Sequence, residues 1–367
     1  MSASSGEMTL STPSKLDTTE LLKALSEASG VSGSETPVGE LVSSYLRPCA
    51  DHVSTDKLGS VLAVKEGVST REPRPRIMLA GHLDEVGLIV TMLEKGFIRF
   101  STVGGFDLRV LPGQQVVVHG RRPLPGVVGA PPLHVTLEED RRKVLALTDL
   151  FIDVGLTEGE LREAVRVGDM VTIQRELSSL AGDALSGKAL DDRIGVAVLV
   201  LTLEALSRVS HAWDVFAVAT AQEEVGMCGA KTSAFGICPD LAIAIDVGFA
   251  TSPGVDTVQG VPMGKGPIVS FGPNIHPLVF ERLVEVAKGI ELPIQIQAEP
   301  GVSGTDAWAI QVSRGGVPTA IVGIPVRYMH TAVETASRSD IERAARLLAA
   351  FISSLEDGFV ERLVPSV

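Results

Sequence analysis

The chain has 367 residues, 45% of them hydrophobic and 21% charged, a balance that buries a sizeable core, excludes a wholly disordered chain and suits about two domains. Lys+Arg 32 against Asp+Glu 45 leaves a net charge of −13, which argues against a general phosphate-backbone binder and fits cationic partners such as metal ions and substrate ammonium groups. Cys49, Cys228 and Cys238 match no C-x-x-C spacing, the polar N-terminus lacks an apolar signal-peptide core, and no apolar run reaches ~18 residues; the expectation is a soluble, cytoplasmic protein with free thiols and no nucleic-acid or membrane partner.

Residues 1–15 are rich in Ser and Thr and are expected to be a mobile tail. Asp17 with Glu20 reads as a capping box opening a helix through Leu21, Leu22 and Leu25, with Gly30 as its stop. Thr36-Pro37 starts a second helix, with Val38, Leu41, Val42 and Tyr45 on one face. Ser60–Val64 and Arg76–Ala80 are predicted strands, the latter apolar enough to be covered on both faces. From about residue 93 to 183 the texture becomes short strand-like runs (FIRFSTV, QQVVVHG, GVVGA, DMVTIQ) broken by Gly and Pro, a compact β-rich unit. Alternation then resumes with a helix over Asp191–Leu206 and strands at Val215–Thr220 and Leu241–Ile245. A helix at Leu278–Lys288, strands at Pro293–Gln297 and Pro318–Ile324 and a final helix over Asp340–Leu355 complete it. The expected fold class is α/β: a mixed, mostly parallel sheet flanked by helices over residues 16–92 and 184–367, with the β-rich segment 93–183 as an inserted domain.

No HExxH, GxSxG or GxGxxG is present, and Gly182–Lys188 mimics a P-loop only in spacing, since Ala189 stands where a Mg²⁺-binding hydroxyl belongs and Asp183 would repel phosphate. Five segments do carry chemistry, each where a strand ends or a helix begins, the place open α/β sheets put their ligands. In Gly81-His82-Leu83-Asp84, His82 and Asp84 share a face, so the imidazole can bind a metal while Asp84 holds its other nitrogen; a locally satisfied His–Asp pair is the plainer alternative. The doubled Asp191-Asp192 offers one carboxylate for a helix cap and one for a cation. Glu223-Glu224 closes the Val215–Thr220 strand, where one carboxylate can bind metal and the other move protons. Asp246 follows the apolar run LAIAI, where burial demands a partner, and His330 counts as part of the set. Two imidazoles among oxygen ligands, with no Cys, suit a pair of Zn²⁺, Co²⁺ or Mn²⁺ ions, and three carboxylates plus a hydroxide balance two dications.

GHLDEVGLIV, KALDDRIG, AQEEVGMCGA, AIDVG, SGTDA and YMHTAVET occur in the order of the M42 metallo-aminopeptidases, the glutamyl, deblocking and tetrahedral aminopeptidases, which the chain resembles over nearly its whole length. The resemblance implies two divalent ions per subunit, with Zn²⁺ first and Co²⁺ or Mn²⁺ as alternatives. His82 and Asp246 would hold one, Glu224 and His330 the other, and Asp191 would bridge them through a cis Asp191–Asp192 peptide. Asp84 would orient His82, Glu223 would be general base and then acid, and the inserted domain would support self-association from dimer to dodecamer. Cys228 stands where the family usually has Arg, and Ser303 where Gly is frequent.

The expected activity is removal of the N-terminal residue of short peptides by a hydroxide bridging the two metals, with Glu223 shuttling its proton. An acidic cavity suits a substrate α-ammonium, whereas Arg327, near His330, offers a partner for a C-terminal carboxylate. The alternatives are a di-metal amidohydrolase or acylamino-acid deacylase, a carboxypeptidase, a glycosidase disfavoured by the two Trp and two Tyr, and a non-catalytic metal-binding scaffold.

Overall fold

The computed structural model describes residues 16–132, 134, 145–258 and 260–364; the tail expected over residues 1–15 lies outside the described residues. Asp17 caps the first helix, Thr18–Glu27, accepting from the N–H groups of Thr19 and Glu20, and Pro37 sits in the first turn of the second, Thr36–Leu46. Gly30 does not stop the first helix, which ends at Glu27. A Cβ there would meet Val38 Cγ1 at 2.6 Å and Arg193 Nη2 at 2.7 Å, so the glycine serves close packing instead.

Among the described residues the main sheet has 11 strands. Four central ones, Asp214–Thr220, Arg76–His82, Leu241–Phe249 and Thr319–Arg327, lie side by side and parallel. Val61–Lys65 and His52–Thr55 extend one side antiparallel; Glu334–Ser337, Ala184–Gly187 and Ser178–Ser179 extend the other, also antiparallel. Ile268–Phe271 runs antiparallel to Thr319–Arg327 and carries Gln295–Ala298 at its far edge. The expectation of a mostly parallel sheet therefore holds for the centre and for the outlying pair Ile268–Phe271 with Gln295–Ala298, and not for the other flanking strands. Helical crossovers force parallel pairing there, whereas several flanking strands arrive through short turns or from distant segments and take the antiparallel register.

Period-two alternation of buried residues decides what covers each face. Ile77 and Leu79, Val215, Ala217 and Ala219, and Ile243 and Ile245 face one way, into a large core with Leu190–Leu206, Arg338–Ser353 and the two N-terminal helices. Met78, Ala80, Val218 and Ala242 face the other, against Ala230, Ala234 and Ile237 of helix Cys228–Ile237 and Ala309 and Ile310 of helix Asp306–Gln311. Neither of these two helices is legible in the sequence, because their buried faces are mostly small residues with a single Ile each and give little apolar contrast.

A closed antiparallel six-stranded barrel forms a separate unit. Its strands run from Gly87–Glu94 to Met170–Ile173 and enclose their own core of Leu88, Val90, Ile98, Val116, Val118, Ile152 and Val171. It begins before the texture change near residue 93, since GLIVTMLE belongs to the barrel rather than to the sheet. The first barrel strand begins five residues after His82, at the carboxyl end of a central strand, and so the barrel overhangs the site described next.

Candidate metal centre

His82, the last residue of strand Arg76–His82, is 3% exposed and has its ring fixed at both nitrogens. Nδ1 donates to the Asp84 carbonyl at 3.1 Å, with the Asp84 carboxylate at 3.5 Å, so Nε2 is directed at Asp191 Oδ1, 3.1 Å away. The Asp84 carboxylate has more to do: it accepts from Ser32 Oγ at 2.5 Å, Glu223 N at 2.9 Å and Glu224 N at 3.1 Å. It thereby ties the Glu223-Glu224 turn to the His82 turn. Despite complete burial, the bonds from His82, Ser32 and the Glu223 amide hold its carboxyl below the usual range.

Asp191 lies between the two histidines. Its Oδ2 is 3.1 Å from His330 Nε2, and that nitrogen is also 3.2 Å from Glu224 Oε1. Asp192, joined to Asp191 by a cis peptide, turns the other way; it accepts from His82 N at 3.1 Å and, as a helix cap, from Gly195 N at 3.0 Å. Asp246 continues strand Leu241–Phe249 on the neighbouring position, is 8% exposed and accepts from Val247 N at 2.7 Å. Two groups of donor atoms result, His82 with Asp191 and Glu224, and His82 with Asp192 and Asp246, each within 4.8 Å of one another.

Glu223 stands at the edge of the cluster, 8% exposed, with Oε2 4.0 Å from His82 Nε2 and Oε1 buried without a hydrogen-bond partner. Burial, and then the Asp246, Asp306 and Glu224 carboxylates, push its pKa to about 9 against the pull of His82. Burial likewise raises Asp246 and Asp192 well above the carboxylate range. The bonds to Asp191 and then Glu224 raise His330 to about 11, and His82 is raised well above its ordinary value despite burial. Asp191 itself is driven down by those imidazoles although burial opposes it. This many carboxylates in one buried place cannot all ionise against one another, and a divalent cation is the charge that relieves them.

Three site residues escaped the sequence reading. Glu334, at the start of a four-residue strand, is 2% exposed and accepts from both Asp191 N and His330 N; burial and then Asp191 raise it to about 8. Asp306 is buried, bonds Thr220 Oγ1 at 2.5 Å, leaves Oδ1 without a partner and is raised by burial to about 6. Ser32 contributes only its hydroxyl. The quoted segments SGTDA and YMHTAVET contain the first two, but neither acid sits at a periodic position that would single it out. Arg327 commits its Nε to the Thr251 carbonyl at 2.9 Å.

A family model described as M42 glutamyl aminopeptidase matches residues 59–347. The chain belongs to that family. It is a peptide hydrolase of the aminopeptidase type. It is 36% identical over 346 residues to the lysyl aminopeptidase of Pyrococcus furiosus, a match covering 92% of this chain and 97% of that one. Among solved structures, the TET aminopeptidase of a marine sediment archaeon of the Thaumarchaeota superposes with a TM-score of 0.89 at 37% identity, covering 95% of this chain and 99% of the other. The Pyrococcus horikoshii TET1 peptidase, which assembles into a tetrahedron or a large octahedral shell, superposes with a TM-score of 0.82 at 32% identity, covering 92% and 100%. Among the described residues no helix is long and apolar enough to cross a membrane.

Proposed function

We propose that this M42 aminopeptidase removes the N-terminal residue of short peptides at a centre of two divalent ions. The observation that carries the reading is Asp191, which directs one oxygen to each imidazole, His82 and His330, inside a cage of carboxylates too crowded to be charged on its own. His82 and Asp246 would hold one ion and Glu224 and His330 the other, with Asp191 shared. These donors suit Zn²⁺ first and accept Co²⁺ or Mn²⁺.

When bound, the two ions supply Lewis acidity for the scissile carbonyl, acidity for a water toward a pKa of ~7, and positive charge that keeps Glu223 ionised. Glu223 Oε1, the buried oxygen without a partner, is free to take a proton from the attacking water. The water oxygen bonds to the carbonyl carbon, the C–N bond breaks, and Glu223 returns the proton to the departing amine. His82 stays in one tautomer because Nδ1–H is committed to the Asp84 carbonyl, and Asp84 keeps Glu223 at a fixed distance by binding its amide. The acidic lining favours a free α-ammonium on the substrate, which sets an aminopeptidase apart from an acylamino-acid deacylase or a carboxypeptidase. Like the shell-forming relative, this chain would self-associate, and we assign that contact to its barrel, from dimer to dodecamer, in the cytoplasm.

Glu223→Gln tests the reading. It should keep the fold and the metal yet lose ~10²–10⁴-fold in kcat, the usual worth of a positioned proton carrier. Full turnover of an aminoacyl-anilide by a metal-loaded Glu223→Gln protein would remove the assigned base, and cleavage of N-acetylated amino acids in preference to anilides would remove the substrate class.

A further inference from the structure

Among the described residues, Glu334 is the one buried carboxylate at the site that touches two proposed ligands through their backbones rather than their side chains. Its register partner is Gly187, across the antiparallel pair Ala184–Gly187 and Glu334–Ser337. From this rung the chain climbs to Asp191 on one side and descends from His330 on the other. The Glu334 side chain fills the space between the two loops. Oε2 accepts from Asp191 N at 3.0 Å and Oε1 from His330 N at 2.7 Å, one oxygen for each loop.

Both loops need such a hold. His330 has φ +61 and Tyr328 φ +62, and Ala189 has φ +53, left-handed conformations that L residues adopt only when their surroundings impose them. The residues whose N–H groups Glu334 binds are also the ones whose side chains meet, with His330 Nε2 3.1 Å from Asp191 Oδ2.

We propose that Glu334 is a positioning residue: by spanning the two amides it sets the separation of Asp191 and His330, and so governs occupancy of the ion that Glu224 and His330 would hold more than that of the His82–Asp246 ion, which it reaches through the shared Asp191 alone. The inference rests on the two-ion reading. Glu334→Gln keeps the size of the side chain but turns an N–H donor toward an amide N–H, so one of the two bonds is lost. Metal-stripped wild type and variant would be titrated with Zn²⁺ alone by calorimetry, with circular dichroism confirming that each is folded. Two binding steps are expected in the wild type, and in Glu334→Gln one of them ~10–100-fold weaker with the other weakened distinctly less. Turnover of the variant should fall at limiting Zn²⁺ and recover as Zn²⁺ is raised, a rescue that general loosening of the fold would not give. Should Glu334→Gln fail to fold, Glu334→Asp retains the charge but reaches only one loop, and should show the same weakened step.

Two wild-type steps in either folded variant would overturn the assignment of Glu334 alone. A wild-type protein that binds fewer than two ions would overturn the two-ion reading and this assignment with it.

Discussion

Protons and cations compete for the same atoms at His82 and His330. Without ions, His330 is held up to about 11 by Asp191 and Glu224, against an ordinary 6.5, and His82 lies well above 6.5 as well. A raised histidine contributes stability that is fully present below the unfolded pKa of 6.5 and disappears as pH climbs through the folded value, so His330 steadies the metal-free protein in acid and ceases to do so toward pH 11. A bound dication requires both imidazoles neutral. Metal uptake at pH 7 should therefore release protons, and apparent affinity should rise with pH above 6.5. Calorimetric titration in two buffers of different ionisation enthalpy reads the proton count directly; a zero count would show that the imidazoles are not ligands. Asp191→Asn removes a negative charge from between the histidines, and elemental analysis should find its metal content lowered. Unchanged occupancy by two ions would refute the shared role.

At the scale of elements, the central strands and the long helix were legible because burial leaves a plain pattern. Ile77–Ala80 and LAIAI are apolar at every position, as strands covered on both faces must be, and Ile194–Leu203 is wholly buried apart from traces. Histidines and acids at strand ends were legible for the same reason, since a charged group beside such a run has few structural uses. Glu334, Asp306 and Ser32 were not, because their significance lies in which backbone amide or hydroxyl they meet across the fold. The descent of the barrel onto the site was equally invisible. Gly104 follows strand Phe97–Val103 with φ +76, and a Cβ there would lie 2.8 Å from Val86 Cγ1 and 3.4 Å from Glu224 Oε2; at Gly105 one would lie 3.2 Å from His330 Nδ1. Gly104→Ala combines left-handed strain with a clash, and should cost about 1–3 kcal/mol. Denaturant titration checks this, and a variant as stable as the wild type would mean that the loop yields freely and does not press on Glu224.

Over the whole molecule, the barrel has its own closed core and therefore does not need the sheet to bury its strands, yet its outer face is not uniformly polar. Met92 is 53% exposed, Phe97 39% and Val127 47%, on three different barrel strands. A net charge of −13 makes chance aggregation unfavourable, so contact between copies through these exposed apolar side chains would have to offset like-charge repulsion. With self-association through this unit, light scattering on the purified chain should give multiples of 38.6 kDa that grow as salt screens the repulsion. Met92→Asp with Val127→Glu should shift the distribution toward the single chain while leaving the site, on the other unit, able to bind metal. A wild-type mass of 38.6 kDa at every salt concentration would exclude the assembly, and an unchanged oligomer in the double variant would move the contact off this face of the barrel.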